Sequence, residues 1–343
     1  MNKTFAFAGD QAVGQIVAGK LQEAGFALAA GLASADYIFT YCLAQSQLED
    51  VYLGSGGTVE SAKEGCCLVD LSPSTSTLAK EIYAVARVNE LQSLDAPVVL
   101  KDPCAHDAFG EPGNVMMLVG GEDEAFEQAL PMLEAIAGDV RHLGLAGSGQ
   151  LAKAMCTVQQ AAALVALVEA RALAKAQGEE AAAAIDAAVA AGIASPGARA
   201  VYQAMLDSHF HGTYSCQVMM AELTAVMNGA EEIELVLPQA EACQHLLELF
   251  LVVGGADLAV PSLALAYSTE DESVAFGLDW SRADDIFEHD HDHEHDHGHD
   301  HEHHHHHDHG EYDAYADYEG YGYDYDYDDE DRYGSGFGGF SSN

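Results

Sequence analysis

The sequence predicts an α/β fold that passes into an all-α region and ends in a disordered C-terminal tail, and three observations carry that expectation. An apolar segment, Thr4–Gly9, runs into a glycine turn and then into helical spacing over residues 13–24, closed by Gly25. Residues 150–177 are rich in Ala, Leu and Val and contain no Gly or Pro, as one long helix requires. Composition then changes abruptly near Asp284, where aliphatic side chains give way to His-Asp, Tyr-Asp and Tyr-Gly repeats.

After the first strand–helix unit, residues 37–42 and 66–71 read as buried strands, and residues 97–100 and 115–119 as two more. Strands alternating with helices predict a largely parallel sheet covered on both faces. Beyond the long helix the chain to about residue 266 reads as helical, with breaks at Ser195-Pro196-Gly197 and Gly254-Gly255. The tail has too little apolar surface to offset the entropy of ordering it.

Hydrophobic residues make up 49% of the 343, enough for a substantial core. No run of about twenty apolar residues announces a membrane span, and no signal-peptide pattern opens the chain. Seven cysteines are scattered without a CxxC pair, which reads as reduced thiols and a cytoplasmic location. The net charge of −43, with no Lys or Arg between Arg199 and Arg282, disfavours nucleic acid as a partner.

Four ordered segments carry a family resemblance. They are Phe7-Ala8-Gly9-Asp10-Gln11-Ala12-Val13-Gly14; Ala35-Asp36-Tyr37-Ile38-Phe39-Thr40 with Val69-Asp70-Leu71-Ser72; Asp95-Ala96-Pro97-Val98; and Gly144-Leu145-Ala146-Gly147-Ser148-Gly149-Gln150 with Lys153. Over residues 1–270 or so, the chain resembles the β-hydroxyacid dehydrogenases, the group of 3-hydroxyisobutyrate dehydrogenase, tartronate semialdehyde reductase and relatives of 6-phosphogluconate dehydrogenase. The resemblance implies a Rossmann-like dinucleotide-binding domain over 1–146 and a helical dehydrogenase domain over 147–283; composition sets apart a disordered tail over 284–343. It also implies NAD or NADP as cofactor, a small hydroxy acid or semialdehyde as substrate, and a homodimer. By the same resemblance Lys153 is the catalytic lysine. Gly9, Gln11, Ala12, Val13, Gly14, Cys42, Leu43 and Ser72 fall at cofactor positions, and Val99, Leu100, Lys101 and Thr157 at substrate positions.

The departures from the family pattern are chemical. Gln11 replaces the middle glycine, where bare backbone should meet the pyrophosphate. The second strand–helix unit, which bears the ribose-reading side chain, is expected to be missing, and Asp36 in its place reads as structural. Val99-Leu100-Lys101 stands where the family has Ser-Gly-Gly, so a hydroxyl and two open amides give way to bulk and one cation. Thr157 replaces an asparagine, and a late Lys-Asp pair has no lysine to supply it.

His209 and His211 near Asp207 lack a third ligand nearby and read as a solvated segment; Cys66 and Cys67 read as core thiols. In the tail, His289, His291, His293, His295, His297, His299, His301, His303, His304, His305, His306, His307 and His309 alternate with carboxylates or run consecutively. Such a segment binds divalent nickel, zinc, copper or cobalt in overlapping arrangements. Two functional readings therefore stand: an NAD(P)-dependent reductase working through Lys153, and a disabled relative that carries a metal-binding tail.

Overall fold

The computed structural model describes residues 3–283; the His-rich segment lies outside them. Eight strands form one sheet: β1 Thr4–Gly9, β2 Ala27–Leu28, β3 Tyr37–Tyr41, β4 Cys67–Asp70, β5 Gln92–Asp95, β6 Val98–Leu100, β7 Val115–Gly121 and β8 Asp139–Gly144. Their order is β2-β1-β3-β4-β5-β7-β6, with β8 also paired to β7. The first five strands in that order are parallel, whereas β7 runs antiparallel to β5 and β6. The sheet is thus mixed rather than parallel throughout. The connection between β6 and β7 carries only a 3-10 turn, Pro112–Asn114, and no crossover helix, so β7 returns antiparallel.

The helices among the described residues are α1 Gln11–Glu23, α2 Gln45–Leu53, α3 Thr58–Ser61, α4 Ser76–Val88, α5 Asp123–Ile136, α6 Ser148–Gln177, α7 Glu179–Ala188, α8 Pro196–Leu206, α9 Cys216–Glu231, α10 Pro238–Phe250 and α11 Glu270–Val274. Helices cover the sheet on two faces, so β3 is buried at all five residues. The second strand is present but only two residues long, both exposed, and a single 3-10 turn at Leu32–Ser34 follows it instead of a helix. The expected loss of a strand–helix unit is therefore a reduction to a stub. Asp36 then opens β3, as read from the sequence. It accepts from the Thr4 N–H (2.7 Å) and from Lys63 Nζ (2.6 Å), and these bonds, the lysine's first, hold it down at about 2.

The helical part is joined to the sheet by α6. Asp95 Oδ1 accepts from the Gly147 N–H (2.8 Å) and Oδ2 from the Gln150 N–H (3.0 Å). Gln150 in turn donates through Nε2 to the Ser72 carbonyl (2.8 Å) and accepts through Oε1 from the Ser74 N–H (3.1 Å). Gly149 is required there by close approach, because a Cβ would lie 2.2 Å from the Leu118 carbonyl oxygen. Gly149→Ala is expected to cost about 3 kcal/mol or more, read as a lower urea midpoint, since the blocking atoms are backbone.

By length and composition α6 would span a bilayer, contrary to the sequence expectation that no segment would. It is a core helix of the helical part: it packs against α7, α8, α9 and β7. It also buries the Lys153 side chain in its second turn, paired with Glu222.

Candidate active site at the sheet–helix junction

The glycine turn after β1 has the backbone geometry that the pattern predicted. Gly9 sits at φ +105°, and a Cβ there would lie 2.1 Å from the Tyr41 carbonyl oxygen, which accepts from the Asp10 N–H (2.8 Å). Gly14 is pressed against the Phe7 ring, where a Cβ would lie 2.5 Å from Cδ1, so α1 packs directly on β1. Between them Gln11 and Ala12 are exposed and Val13 is half-buried at the start of α1. A residue not singled out from the sequence adds a charge there. Asp10 is the N-cap of α1, its carboxylate accepting from the Val13 N–H (2.9 Å). A helix N-terminus attracts anions, and this one already has a carboxylate against it.

The loop after β3 is fixed to the loop after β4. The Cys42 N–H donates to Ser72 Oγ (2.9 Å), and both residues are buried. Burial, followed by the field of Asp70, pushes the Cys42 thiol up to about 12, so it is a neutral core group at physiological pH. Leu43 and Pro73 from these loops and Met220, Ala221 and Thr224 from α9 line a cleft of about 620 Å³. Glu49 also lines it, and no Lys or Arg does.

Lys153 on α6 and Glu222 on α9 meet where the two helices pack. Lys153 Nζ lies 2.6 Å from Glu222 Oε1, and both side chains are almost wholly buried (5% and 6% exposed). Glu222 Oε2 accepts from Tyr214 Oη (2.8 Å) and from Thr157 Oγ1 (3.3 Å). Thr157 thus binds a protein carboxylate. Tyr41 lies close by: burial first, then the charge of Glu222, raises its phenol well above the ordinary range. Tyr214 and Glu222 escaped sequence reasoning because they are dozens of residues from Lys153 and carry no motif. An isolated Glu inside the apolar α9 was the one signal available.

At the predicted substrate positions, Val98–Leu100 form β6, with Val99 and Leu100 buried and paired to Met116 and Val115. The Leu100 carbonyl accepts from Gln160 Nε2 (3.1 Å). Lys101 is exposed, its N–H donating to the Asn114 carbonyl (3.0 Å) and its Nζ lying 3.3 Å from the Gly113 carbonyl. The structure thus brings Lys153 and Thr157 together and keeps Val99 and Leu100 in the sheet. Among the described residues no group of three or more His, Cys, Asp or Glu side chains is arranged to hold a metal ion.

Residues 6–144 match the NAD binding domain of 6-phosphogluconate dehydrogenase, and residues 147–266 match the NAD-binding region of NADP-dependent 3-hydroxyisobutyrate dehydrogenase. The chain is 27% identical over 236 residues to 2-hydroxy-3-oxopropionate reductase of Escherichia coli, covering 68% of this chain and 78% of that protein. It is 33% identical over 147 residues to the NAD-dependent L-serine dehydrogenase of Pseudomonas aeruginosa, covering 43% and 48% respectively. A further relative, an uncharacterised oxidoreductase of Bacillus subtilis, is 38% identical over 146 residues, 43% of this chain and 49% of its own. This chain therefore spans about half the length of those last two relatives. In fold it resembles 3-hydroxyisobutyrate dehydrogenase of Mycobacterium tuberculosis, with a TM-score of 0.66 at 20% identity over 78% of this chain and 100% of that one. With both matched stretches in the family's order, and with its glycine turn, Asp95 anchor and buried lysine in place, the chain belongs to the β-hydroxyacid dehydrogenase family.

Proposed function

We propose that this chain is an NAD(P)-dependent oxidoreductase of a small hydroxy acid or semialdehyde, with Lys153 as the group that handles the proton. The observation that carries this reading is the ammonium of Lys153, buried at the junction of sheet and helices and held by Glu222 at 2.6 Å. The nicotinamide, when bound, supplies or takes up the hydride. Its fit divides along the cleft. The walls formed by Leu43, Pro73 and α9 suit a flat ring, and the turn at Gly9 and Gly14 suits the chain's approach. The backbone N–H groups of Gln11 and Ala12 would meet the phosphates, beside the opposing charge of Asp10.

Lys153 has three N–H donors, and one directed at Glu222 leaves two for a carbonyl oxygen. Glu222 orients the lysine, while Tyr214 and Thr157 fix the second carboxylate oxygen. In reduction Lys153 gives a proton to the oxygen that gains charge; in oxidation it takes that proton back.

A second reading is favoured by three observations: the Asp10 carboxylate at the anion-binding end of α1, the two-residue β2, and the conversion of Val99-Leu100 into strand. In that reading the fold is a body without turnover that carries the His-rich tail as a store of divalent nickel, zinc, copper or cobalt. Calorimetric titration of NADH and NADPH into the full chain, with metals removed by a chelator, separates the two. Saturable binding supports the oxidoreductase; no binding at millimolar cofactor sinks it. Asp10→Asn keeps the cap, since Asn caps as well as Asp does, and removes the charge. It is expected to tighten cofactor binding by about two- to tenfold, more at low salt than at high.

A further inference from the structure

A second cavity, of about 270 Å³, lies between β6, α6, α8 and α9. Its inner wall is apolar and buried: Leu164, Val201, Met219 and Val260. Its rim is polar and exposed, with Lys101 and Gln159 on it. None of its lining residues lines the cleft described above, so the two cavities are separate. Gln160, on its edge, lies seven residues beyond Lys153, about 10 Å along the helix at ~1.5 Å per residue.

The arrangement is amphipathic from floor to mouth. Lys101 forms no ion pair with any acidic side chain among the described residues, although acidic residues far outnumber basic ones in this chain. An apolar floor below an uncompensated cation selects a ligand with a hydrocarbon end and an anionic end. The volume is several times the ~30 Å³ of a liquid water molecule, which gives room for a chain of several carbons.

We propose that this cavity binds a medium-chain aliphatic carboxylate, with its chain against Leu164, Val201 and Met219 and its headgroup on Lys101. The proposal does not depend on cofactor binding or turnover. The test is calorimetric titration of the chelator-treated full chain with octanoate, octanol and acetate, repeated on Lys101→Gln and Ala198→Trp. Lys101 is exposed, so its variant folds; Ala198 lines the cavity, and a tryptophan there fills it. Octanoate is expected to bind saturably, with octanol and acetate at least about tenfold weaker, a difference of ~1.4 kcal/mol each. Lys101→Gln is expected to weaken octanoate by about the same factor, and Ala198→Trp to abolish it. Absence of octanoate binding at millimolar concentration overturns the proposal. So does equal affinity for octanol, or octanoate binding that neither variant changes. If Ala198→Trp does not fold, Lys101→Gln decides alone.

Discussion

Asp70→Asn is expected to raise the thermal midpoint at pH 8 by roughly 5–10 °C, and to raise it much less at pH 4. Asp70 ends β4 and is 2% exposed. Its Oδ1 accepts from the Ser72 N–H (2.9 Å), but Oδ2 has no partner among the described residues, and neither have Thr40 Oγ1 and the Tyr52 hydroxyl. Burial is the main force on the group, with the neighbouring Asp95 carboxylate adding to it and the Ser72 bonds opposing. The result is an acid pushed up to about 7.

The sign follows from linkage. Below the ordinary value of 3.8 the carboxyl is neutral both folded and unfolded, and its burial carries no ionic penalty. Between 3.8 and about 7 the unfolded chain ionises while the folded one does not, so stability falls as pH rises. Above 7 the full penalty is present, of the order of 4 kcal/mol at ~1.4 kcal/mol per pH unit. An asparagine keeps the acceptor for Ser72 and adds N–H donors for Thr40 or Tyr52. A denaturation series from pH 4 to 8 in which the variant falls as steeply as the parent would refute the assignment.

Removing Lys153 is expected to cost both turnover and stability. Lys153→Met leaves the Glu222 carboxyl group buried without its partner, a loss of about 3–5 kcal/mol. Glu222→Leu is expected to cost about as much by stranding the ammonium. The pair Lys153→Met with Glu222→Leu removes both charges together and should recover most of that loss, because replacing a buried ion pair by apolar side chains is often neutral or stabilising. Urea midpoints of the singles and the double form the cycle. Additive losses would mean that the two residues do not act as a pair. Turnover, where the parent shows it, should vanish in every variant lacking Lys153.

Much of the fold was legible because its signals are local. Gly9 and Gly14 announce a tight turn and a close helix–strand contact, and the unbroken stretch after Gly149 announces α6. β5 was missed because three of its four residues, Gln92, Ser93 and Asp95, are polar, and β8 because its burial is only partial. The site was less legible. Lys153 stood out by resemblance, but its partners Glu222 and Tyr214 meet it only through tertiary packing. Asp10 was not singled out in the sequence; its weight comes from the direction in which its carboxylate points. Val99 and Leu100 matched substrate positions by alignment, yet β-branched and aliphatic side chains beside Val98 favour ladder pairing, and the ladder took them.

The stitching of the α6 start to the ends of β4 and β5 limits how this molecule can move. Gly147, Gln150, Ser72, Ser74 and Asp95 share bonds that would all have to break for the helices to swing away from the sheet. Those bonds oppose rigid-body rocking about that joint. Ligand entry and exit fall instead to exposed side chains that line the cleft on α2 and α9, among them Ser46, Glu49 and Gln217. A molecule built this way admits its ligand through a yielding rim around a fixed frame.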